Sequence, residues 1–504
     1  MQRQGYDVIV VGGGSAGCAV AARLSEDPGR RVLLLEAGPD PDPVPELSAV
    51  AAHQPRLLLE APFLTMYPTV RTADGSTYYK LAGRIMGGGS SVNVMAWIRP
   101  MKQDLDGWAA RGNPGWTYDE CLPVMKRMES DQDFPDSPIH GSDGPVYVKR
   151  PWRFDMPVDP PVRAFIDRAL AMGLPLCKDQ NVPEPLGVCE AAFNIKDGVR
   201  QSTRVAYLDP ARGRPNLDVV GDALVTSLEL AGGRARAIRY LKDGQVQTAY
   251  GDQVVLTAGA YHSPQILMLS GIGPARQLEG LGIPVAHLLE GVGENYQDHA
   301  TVFMHFEGKD TAFNPDWVYP RFRIIMKSDP SQPNGNFHIA MRPPTDVQGI
   351  KRLMPVSVFL LEQRAKGRLY WTSTDPTALP EIESGMLEDA ADLEAMNAAM
   401  QWVFELTQHE SMGKFYGPLL QPGLEEDWGQ YARKTHNSYH HGAGTCMMGP
   451  SSDPLAVVDA RLKVHGMENV WVADASIMPA VTHANTNLTS IMIGERVSDF
   501  IKEQ

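Results

Sequence analysis

Apolar positions gather near the start of the chain into two short runs, residues 7 to 11 and 31 to 35. Between them lie glycines at 12 to 14 and a stretch from Ser15 to Leu24 with small residues on one face. Short unbroken runs suit strands buried on both faces, and the intervening stretch has helical length, so the opening predicts a strand, turn, helix and strand. Residues 39 to 80 begin PDPDPVPEL and remain rich in proline and polar residues, which predicts a long loop or lid. Helical patterning over Asp119 to Met128 precedes a proline-rich, aromatic-containing stretch from Pro135 to Pro161, where a second domain is expected to begin.

From Asn216 short β-type runs return (LDVV, ALVTSLEL, RAIRYL, VVLTAG), with Gly-Gly and Asp-Gly pairs that predict hairpins. Between 300 and about 380 the runs TVFMHFEG, NFHIAMR, PVSVFLLEQ and GRLYWTS alternate apolar and polar residues, the pattern of an antiparallel sheet with one covered face. A helix is expected at Ala390 to Thr407, and the sequences VWVADASIMP and NTNLTSIMIGERVSDFI predict a closing strand, turn and helix. No fixed-period repeat supports a solenoid or propeller.

Composition narrows the classes. At 504 residues the chain has the length of roughly three domains. With 43% hydrophobic and 21% charged residues it is ordinary for a globular protein and poor for a disordered one. Sixty acidic against 46 basic residues leave −14 with no Lys/Arg block, which argues against nucleic acid as a partner. No run approaches the roughly 18 apolar residues of a membrane span. The start lacks the basic, apolar and cleavage segments of a secretory signal, so a cytoplasmic location is expected. Five cysteines (Cys18, Cys121, Cys177, Cys189, Cys446) contain no C-x-x-C pair, fitting neither a disulfide framework nor a zinc site.

Gly12-x-Gly14-x-x-Gly17 follows a predicted strand and opens a predicted helix, and Glu36 ends the next strand. That is the dinucleotide fingerprint: glycines for a tight turn and close approach of a pyrophosphate, helix-end N–H groups for the anion, and an acid for ribose hydroxyls. Glu36 disfavours a 2′-phosphate, while FAD and NAD both remain open on this motif alone. A second cluster, GRIMGGGSSVNVMAWIRP from Gly83 to Pro100, exposes backbone N–H groups and hydroxyls suited to an anion or a flat polar ring edge.

This second cluster resembles the first signature of the glucose-methanol-choline (GMC) oxidoreductases. GAYHSPQILMLSGIGP from Gly259 to Pro274 is similar to their second signature, and GVGENYQDH from Gly291 to His299 and the C-terminal motifs also resemble the family. The likeness runs through essentially the whole chain, weakest at 40 to 80 and 300 to 435. It implies an α/β fold: an FAD-binding Rossmann-like domain from 1–150, 199–300 and 441–504, with an inserted α+β substrate domain from 151–198 and 301–440 carrying an antiparallel sheet.

The resemblance also implies the cofactor, FAD. Gly12, Gly14 and Gly17 would approach its pyrophosphate, Glu36 its ribose and Val225 its adenine. Asn93 and Met95 would line the isoalloxazine, and Asp474 with Ala475 would complete the phosphate contact. Ser15, Ala16, Ala37, Arg84, Gly88, Ser90, Val94, Ala96, Ala258, Asn487 and Leu488 fill out the implied contact set. Some relatives attach FAD through a histidine where this chain has Val92, so non-covalent FAD is expected.

For the chemistry, SYHHGAGTCMMG from Ser438 to Gly449 and the stretch His483 to Asn487 stand out. Hydride leaves an alcohol more easily when the hydroxyl proton goes to a base, and a histidine with an unperturbed pKa near 6.5 suits that task. Counting back from Gly-Thr-Cys, the resemblance selects His441 as the base. It places Asn487 as the anchor of the substrate oxygen and puts His440 where relatives often carry an aromatic residue. His436 and His440, four apart, could share a helical face as metal ligands, but no HExxH or cysteine pair supports that, and no metal is expected. His483 either faces the substrate or makes a structural hydrogen bond. Cys446 reads as a packed small residue. Aromatic residues from Phe63 to Tyr79, with Trp317 and Tyr319, either line the pocket or pack within loops.

The expected activity is oxidation of a small primary alcohol, aromatic, furanic or aliphatic, by hydride transfer to flavin N5. Oxygen or an electron carrier would then reoxidise the flavin. Two other readings stand beside it: a lyase on the same scaffold, of the hydroxynitrile lyase or fatty-acid photodecarboxylase kind, and a non-catalytic FAD-binding protein.

Overall fold

The computed structural model describes residues 5–41, 63–309, 322–342, 344–347 and 350–504. Strand Tyr6–Val11 pairs in parallel with Val32–Leu35 on one side and with Gly251 to Leu256 on the other. The apolar residues 8 to 11 and 32 to 35 are all buried, as continuous runs in a parallel sheet require. Helix Ser15–Leu24 connects the first two strands through the glycine turn.

Leu217–Val220, expected within a hairpin series, instead extends the parallel sheet beside Val32–Leu35. The Gly221-Asp222 pair that follows it, with Asp222 at positive φ, turns the chain into the next strand without folding that strand back on it. The hairpins begin one strand later. Leu224–Ala231, Arg234–Lys242 and Gln245–Leu256 form a meander in which Gly232-Gly233 and Asp243-Gly244 all take positive φ, as two-residue hairpin turns favour. The twelve-residue strand Gln245–Leu256 therefore changes partners midway: its first half belongs to the meander and its second half to the parallel sheet. Val470–Val472 adds to that second half.

A nine-stranded sheet forms the other layer. Its main order is Tyr416–Gln421, Ala300–Gly308, Ile350–Leu360, Phe337–Met341, Phe322–Met326, Gly187–Glu190 and Leu176–Cys177. Alternation divides its two faces. Val302, Met304, Phe306, Phe322, Ile324, Met326, Phe337, Ile339, Val356 and Val358 share one core with helices Pro160–Ala171 and Ala390–Thr407. The opposite face looks onto the cavity described below.

Phe322–Met326 was not expected as a strand. All five of its residues are buried, including Arg323, so the apolar–polar alternation that marks a half-exposed strand does not stand out. GRLYWTS yields only the three-residue strand Arg368–Tyr370, paired with Glu381–Glu383 outside the large sheet. The excursion at 39 to 80 is also more regular than expected: Leu64–Val70 and Thr77–Gly83 make an antiparallel hairpin, while residues 42–62 lie outside the described residues. Among the described residues no helix is long and apolar enough to cross a membrane.

The terminal helix Thr486–Lys502 packs on the first helix and is locked there by the buried Glu495. Its carboxylate accepts from Arg23 Nε at 2.9 Å, Arg127 Nε at 2.8 Å and the Tyr207 hydroxyl at 2.8 Å. One acid thus joins segments near both ends and the middle of the chain, and its removal takes the shared buried acceptor from two guanidinium groups and a buried phenol. Glu495→Ala is expected to lower the unfolding free energy by about 3–5 kcal/mol. Glu26→Ala, which removes the exposed partner of Arg23, should change it by only about 0–1 kcal/mol. Equilibrium denaturation of the two variants checks the contrast, and equal losses would refute the clamp.

Candidate active site

A cavity of about 1380 Å³ runs between the two layers, from the glycine turn to the inner face of the second sheet. A single small-molecule pocket typically has about 300–1,000 Å³, so this one has room for a dinucleotide and a substrate together. Its nucleotide end is built from glycines that cannot be replaced. A Cβ on Gly12 would lie 2.6 Å from the Thr257 carbonyl oxygen, one on Gly17 would lie 1.9 Å from that of Gly12, and one on Gly88 would lie 2.7 Å from Gly14 Cα. The two glycine clusters, some seventy residues apart, therefore meet backbone to backbone. Arg200, buried beneath the second cluster, fixes it by donating from Nη1 to the Asn93 carbonyl at 2.6 Å and to Asn93 Oδ1 at 2.9 Å.

Glu36 is buried at this end, its two oxygens accepting from the amides of Gly13 at 2.7 Å and Gly38 at 2.8 Å. Burial raises its pKa to about 7 despite those bonds. Asp474 accepts from the Gly259 amide at 2.8 Å, the Ser263 hydroxyl at 2.5 Å and the Ser476 amide at 2.8 Å, and burial raises its pKa too.

Gly12, Gly14, Ser15, Ala16, Glu36, Ala37, Arg84, Gly88, Asn93, Val94, Ala96, Val225, Ala258, Asp474, Ala475, Asn487 and His441 all line the cavity. Four residues of the expected cofactor set do not. Gly17 faces Gly12 within the fold, and Ser90 Oγ is taken by the Gly87 carbonyl and Thr203. Met95 is buried in a small cluster with Ile98 and Phe193, and Leu488 lies in the main core. Of the aromatic candidates, Tyr67, Tyr78 and Tyr79 line the cavity, while Trp317 and Tyr319 lie outside the described residues.

At the other end, His441 is held through its backbone amide by Asp298, which several other groups also meet. The carboxylate accepts from the His441 amide at 2.9 Å and the His299 amide at 2.8 Å through Oδ1. Through Oδ2 it accepts from Lys80 Nζ at 3.0 Å, Tyr296 OH at 3.1 Å and Ser438 Oγ at 2.5 Å. Asp298 and Lys80 are both fully buried. Burial opposes charge on each, but their mutual attraction outweighs it, holding the Asp298 carboxyl well below the usual carboxylate range and raising Lys80.

The His441 ring sits between two partners. Its Nδ1 lies 2.8 Å from His299 Nδ1, and its Nε2 lies 3.1 Å from Asn485 Nδ2. With the Asn485 amide donating to Nε2, the ring carries its proton on Nδ1 and donates it to His299, leaving the Nε2 lone pair as the basic site. Burial, then the neighbouring His299, pushes the His441 pKa well below 6.5, and burial lowers His299 to about 4. Both rings are neutral near pH 7.

Asn487, the expected oxygen anchor, does not face His441. It lies at the second residue of the terminal helix, and its Oδ1 accepts from Ser15 Oγ at 2.8 Å, toward the glycine turn. The residue opposite the base is Asn485, at the helix N-cap, whose side chain makes no capping bond and is left to the cavity. The sequence signal was present in HANTN: asparagine is a preferred N-cap, and fixing the helix start at Thr486 separates the two asparagines onto different sides. His483 resolves to a structural role, with Nδ1 2.6 Å from Asp104 Oδ1, and Cys446 is packed in the core. His436 is turned toward the Arg433 carbonyl, 3.0 Å from its Nδ1, while His440 lines the cavity with Nδ1 accepting from the Leu81 amide. Asp298, His299, Lys80 and Tyr439 were not singled out from sequence, because their roles depend on three segments meeting.

These residues fit a flavin dinucleotide. The glycines let the two backbone turns pack together and leave Gly12, Gly14 and Gly88 lining the cavity without side chains, and Asn485 Oδ1 and Asn487 Nδ2 are buried polar atoms on the cavity wall without a partner among the described residues. FAD would be held by the Gly12–Gly17 turn, Glu36 and the Gly88–Ala96 segment, with its reactive ring toward His441.

Comparison with known proteins agrees. The chain matches the GMC oxidoreductase family over residues 6–301 and 363–494. It is 34% identical to mitochondrial choline dehydrogenase of Homo sapiens, covering 100% of this chain and 90% of that protein. It is 32% identical to 5-(hydroxymethyl)furfural oxidase of Methylovorus sp. (strain MP688), covering 99% of each. Among solved structures, pyridoxine 4-oxidase from Mesorbium loti superposes with a TM-score of 0.92 at 28% identity, covering 99% of both chains. With two glycine clusters meeting at one cavity and a buried histidine base at its far end, the chain belongs to the GMC oxidoreductases, FAD-dependent enzymes that oxidise alcohols.

Proposed function

We propose that this protein oxidises a small primary alcohol to its aldehyde, with His441 as base and Asn485, rather than Asn487, holding the alcohol oxygen. The observation that carries this reading is the His441 ring, whose Nδ1 is engaged by His299 while Nε2 faces Asn485 across the cavity. When bound, FAD accepts the hydride and with it both electrons leaving the carbinol carbon. His441 Nε2 takes the hydroxyl proton, and Asn485 Nδ2 donates to the oxygen as it gains charge. His299 fixes the tautomer, and Asp298 fixes the backbone that presents the ring.

Oxygen or an electron carrier takes the electrons in the second half of the cycle. The flavin is held without a covalent bond in this reading, since the cavity wall carries Val92 where some relatives place the attaching histidine. Its setting is the cytoplasm, a location supported by five cysteines that all remain unpaired. The relatives reported above are oxidases and a dehydrogenase, which favours net oxidation over lyase chemistry.

The first test is to add primary, secondary, sugar and amino alcohols to the purified protein, anaerobic and in the dark, while recording the flavin spectrum. One class of alcohol is expected to bleach it, and a reducible flavin that no alcohol bleaches would overturn the reading. His441→Ala should keep its bound flavin yet slow flavin reduction by roughly 10²–10⁴-fold. Asn485→Ala should slow reduction by about 10²-fold, whereas Asn487→Ala should mainly weaken flavin retention, read from the visible absorbance after dialysis. Because the base works deprotonated and its pKa is depressed, kcat/KM should stay level down to pH 6.5 and fall only below it. A fall beginning above pH 6.5 would show that His441 is not the titrating base.

A further inference from the structure

The cavity-facing side of the second sheet is cationic. Thr301, Phe303 and His305 of Ala300–Gly308, Arg323 of Phe322–Met326, and Arg342 just beyond Phe337–Met341 all line the cavity. Arg323 is 4% exposed, and its Nη1 donates to the Tyr439 hydroxyl at 2.9 Å. Its buried Nε has no acceptor, and among the described residues no carboxylate lies within ion-pairing distance of it. Arg342 donates from Nε to Ser357 Oγ at 2.6 Å and lies over the rings of Phe359 and Phe303, at 5.5 and 5.9 Å from their centroids. Among the described residues the cavity lining contains two acids, Glu36 and Asp474, and both belong to the nucleotide end, bound to backbone amides.

A guanidinium taken out of water is strongly destabilising until an anion meets it, so a built site of this kind is completed by what enters the cavity. The planar fork of arginine fits a carboxylate with two parallel hydrogen bonds. Tyr439 also sets the scale. Its hydroxyl meets Arg323 while its ring stands 4.3 Å from that of His441, so cation and base border the same aromatic ring. Phe359 stacks on Tyr439 at 4.0 Å and offers an apolar wall along the same line.

We propose that the substrate is a primary alcohol bearing a carboxylate across a spacer about the length of one aromatic ring. Arg323, flanked by Arg342, binds the carboxylate while the hydroxymethyl group meets His441. The inference rests on the alcohol-oxidising reading above and names its substrate class. It separates this protein from relatives named for choline, because a quaternary ammonium group would have to enter beside an unpaired guanidinium.

The holoenzyme is assayed with 4-(hydroxymethyl)benzoate, benzyl alcohol and choline, and separately titrated with 4-methylbenzoate, which has no alcohol to oxidise, by the shift of the flavin spectrum. The expected result is a kcat/KM for the carboxylate about 10² above that for benzyl alcohol, with choline the poorest. Arg323→Gln is expected to lower the carboxylate-to-neutral ratio at least tenfold and to weaken 4-methylbenzoate binding by a similar factor, with Arg323→Lys between it and the parent. A parent ratio of one or less, with benzyl alcohol still oxidised, overturns the proposal and leaves the alcohol-oxidising reading standing. Arg323-dependent binding of 4-methylbenzoate without oxidation of any alcohol keeps the anion site and overturns the reading of the reaction. If Arg323→Gln fails to fold, failure of the parent to bind 4-methylbenzoate overturns the proposal by itself.

Discussion

The active end of the molecule depends on one buried carboxylate. Asp298 gathers the amides of His299 and His441, the hydroxyls of Tyr296 and Ser438, and the ammonium of Lys80. Those groups come from the loop before the second sheet, from the segment that carries the base, and from the hairpin strand Thr77–Gly83. A charge buried this deeply is tolerable only when fully satisfied, so the three segments are held together by the same requirement that keeps Asp298 ionised. The base is consequently fixed through its backbone, and its ring is oriented by hydrogen bonds to His299 and Asn485 and by the neighbouring Tyr439 ring.

Much of this was legible in the sequence where the signal is local. The glycine turn, the strands beside it, Glu36, the helix Ala390–Thr407 and the terminal helix follow from periodicity and turn chemistry acting over a few residues. What escaped is whatever depends on segments meeting. LDVV looked like one more hairpin strand, yet it pairs with Val32–Leu35 nearly two hundred residues earlier. Asn485 and Asn487 are equally plausible on paper, and only the start of the terminal helix decides that one faces His441 and the other Ser15. Lys80 lay in a stretch whose prolines suggested a loop, whereas a paired strand delivers it to Asp298.

Global charge proved a poor guide to the cavity. The chain carries a net −14, yet the sheet face over the substrate end presents arginines and, among the described residues, no lining carboxylate. Alternation explains the separation, because a strand sends neighbouring residues to opposite faces and can hide a cation between apolar residues. Arg323 between Phe322 and Ile324 is such a case: its two neighbours lie in the core, and the one polar position of the strand lines the cavity instead.

The strand Gln245–Leu256, shared between the meander and the parallel sheet, also bears on how the protein assembles. Its second half is flanked by the first strand of the chain and by Val470–Val472, which follows more than two hundred residues later. During synthesis the early strands, helix and meander can form beside one another, but one edge of the central strand stays open, and its amides and carbonyls remain available to any other extended peptide. Only when the segment bearing Val470–Val472 and the Glu495 helix emerges is that edge closed. The sheet that holds the first strands of the chain is thus also completed by one of its last.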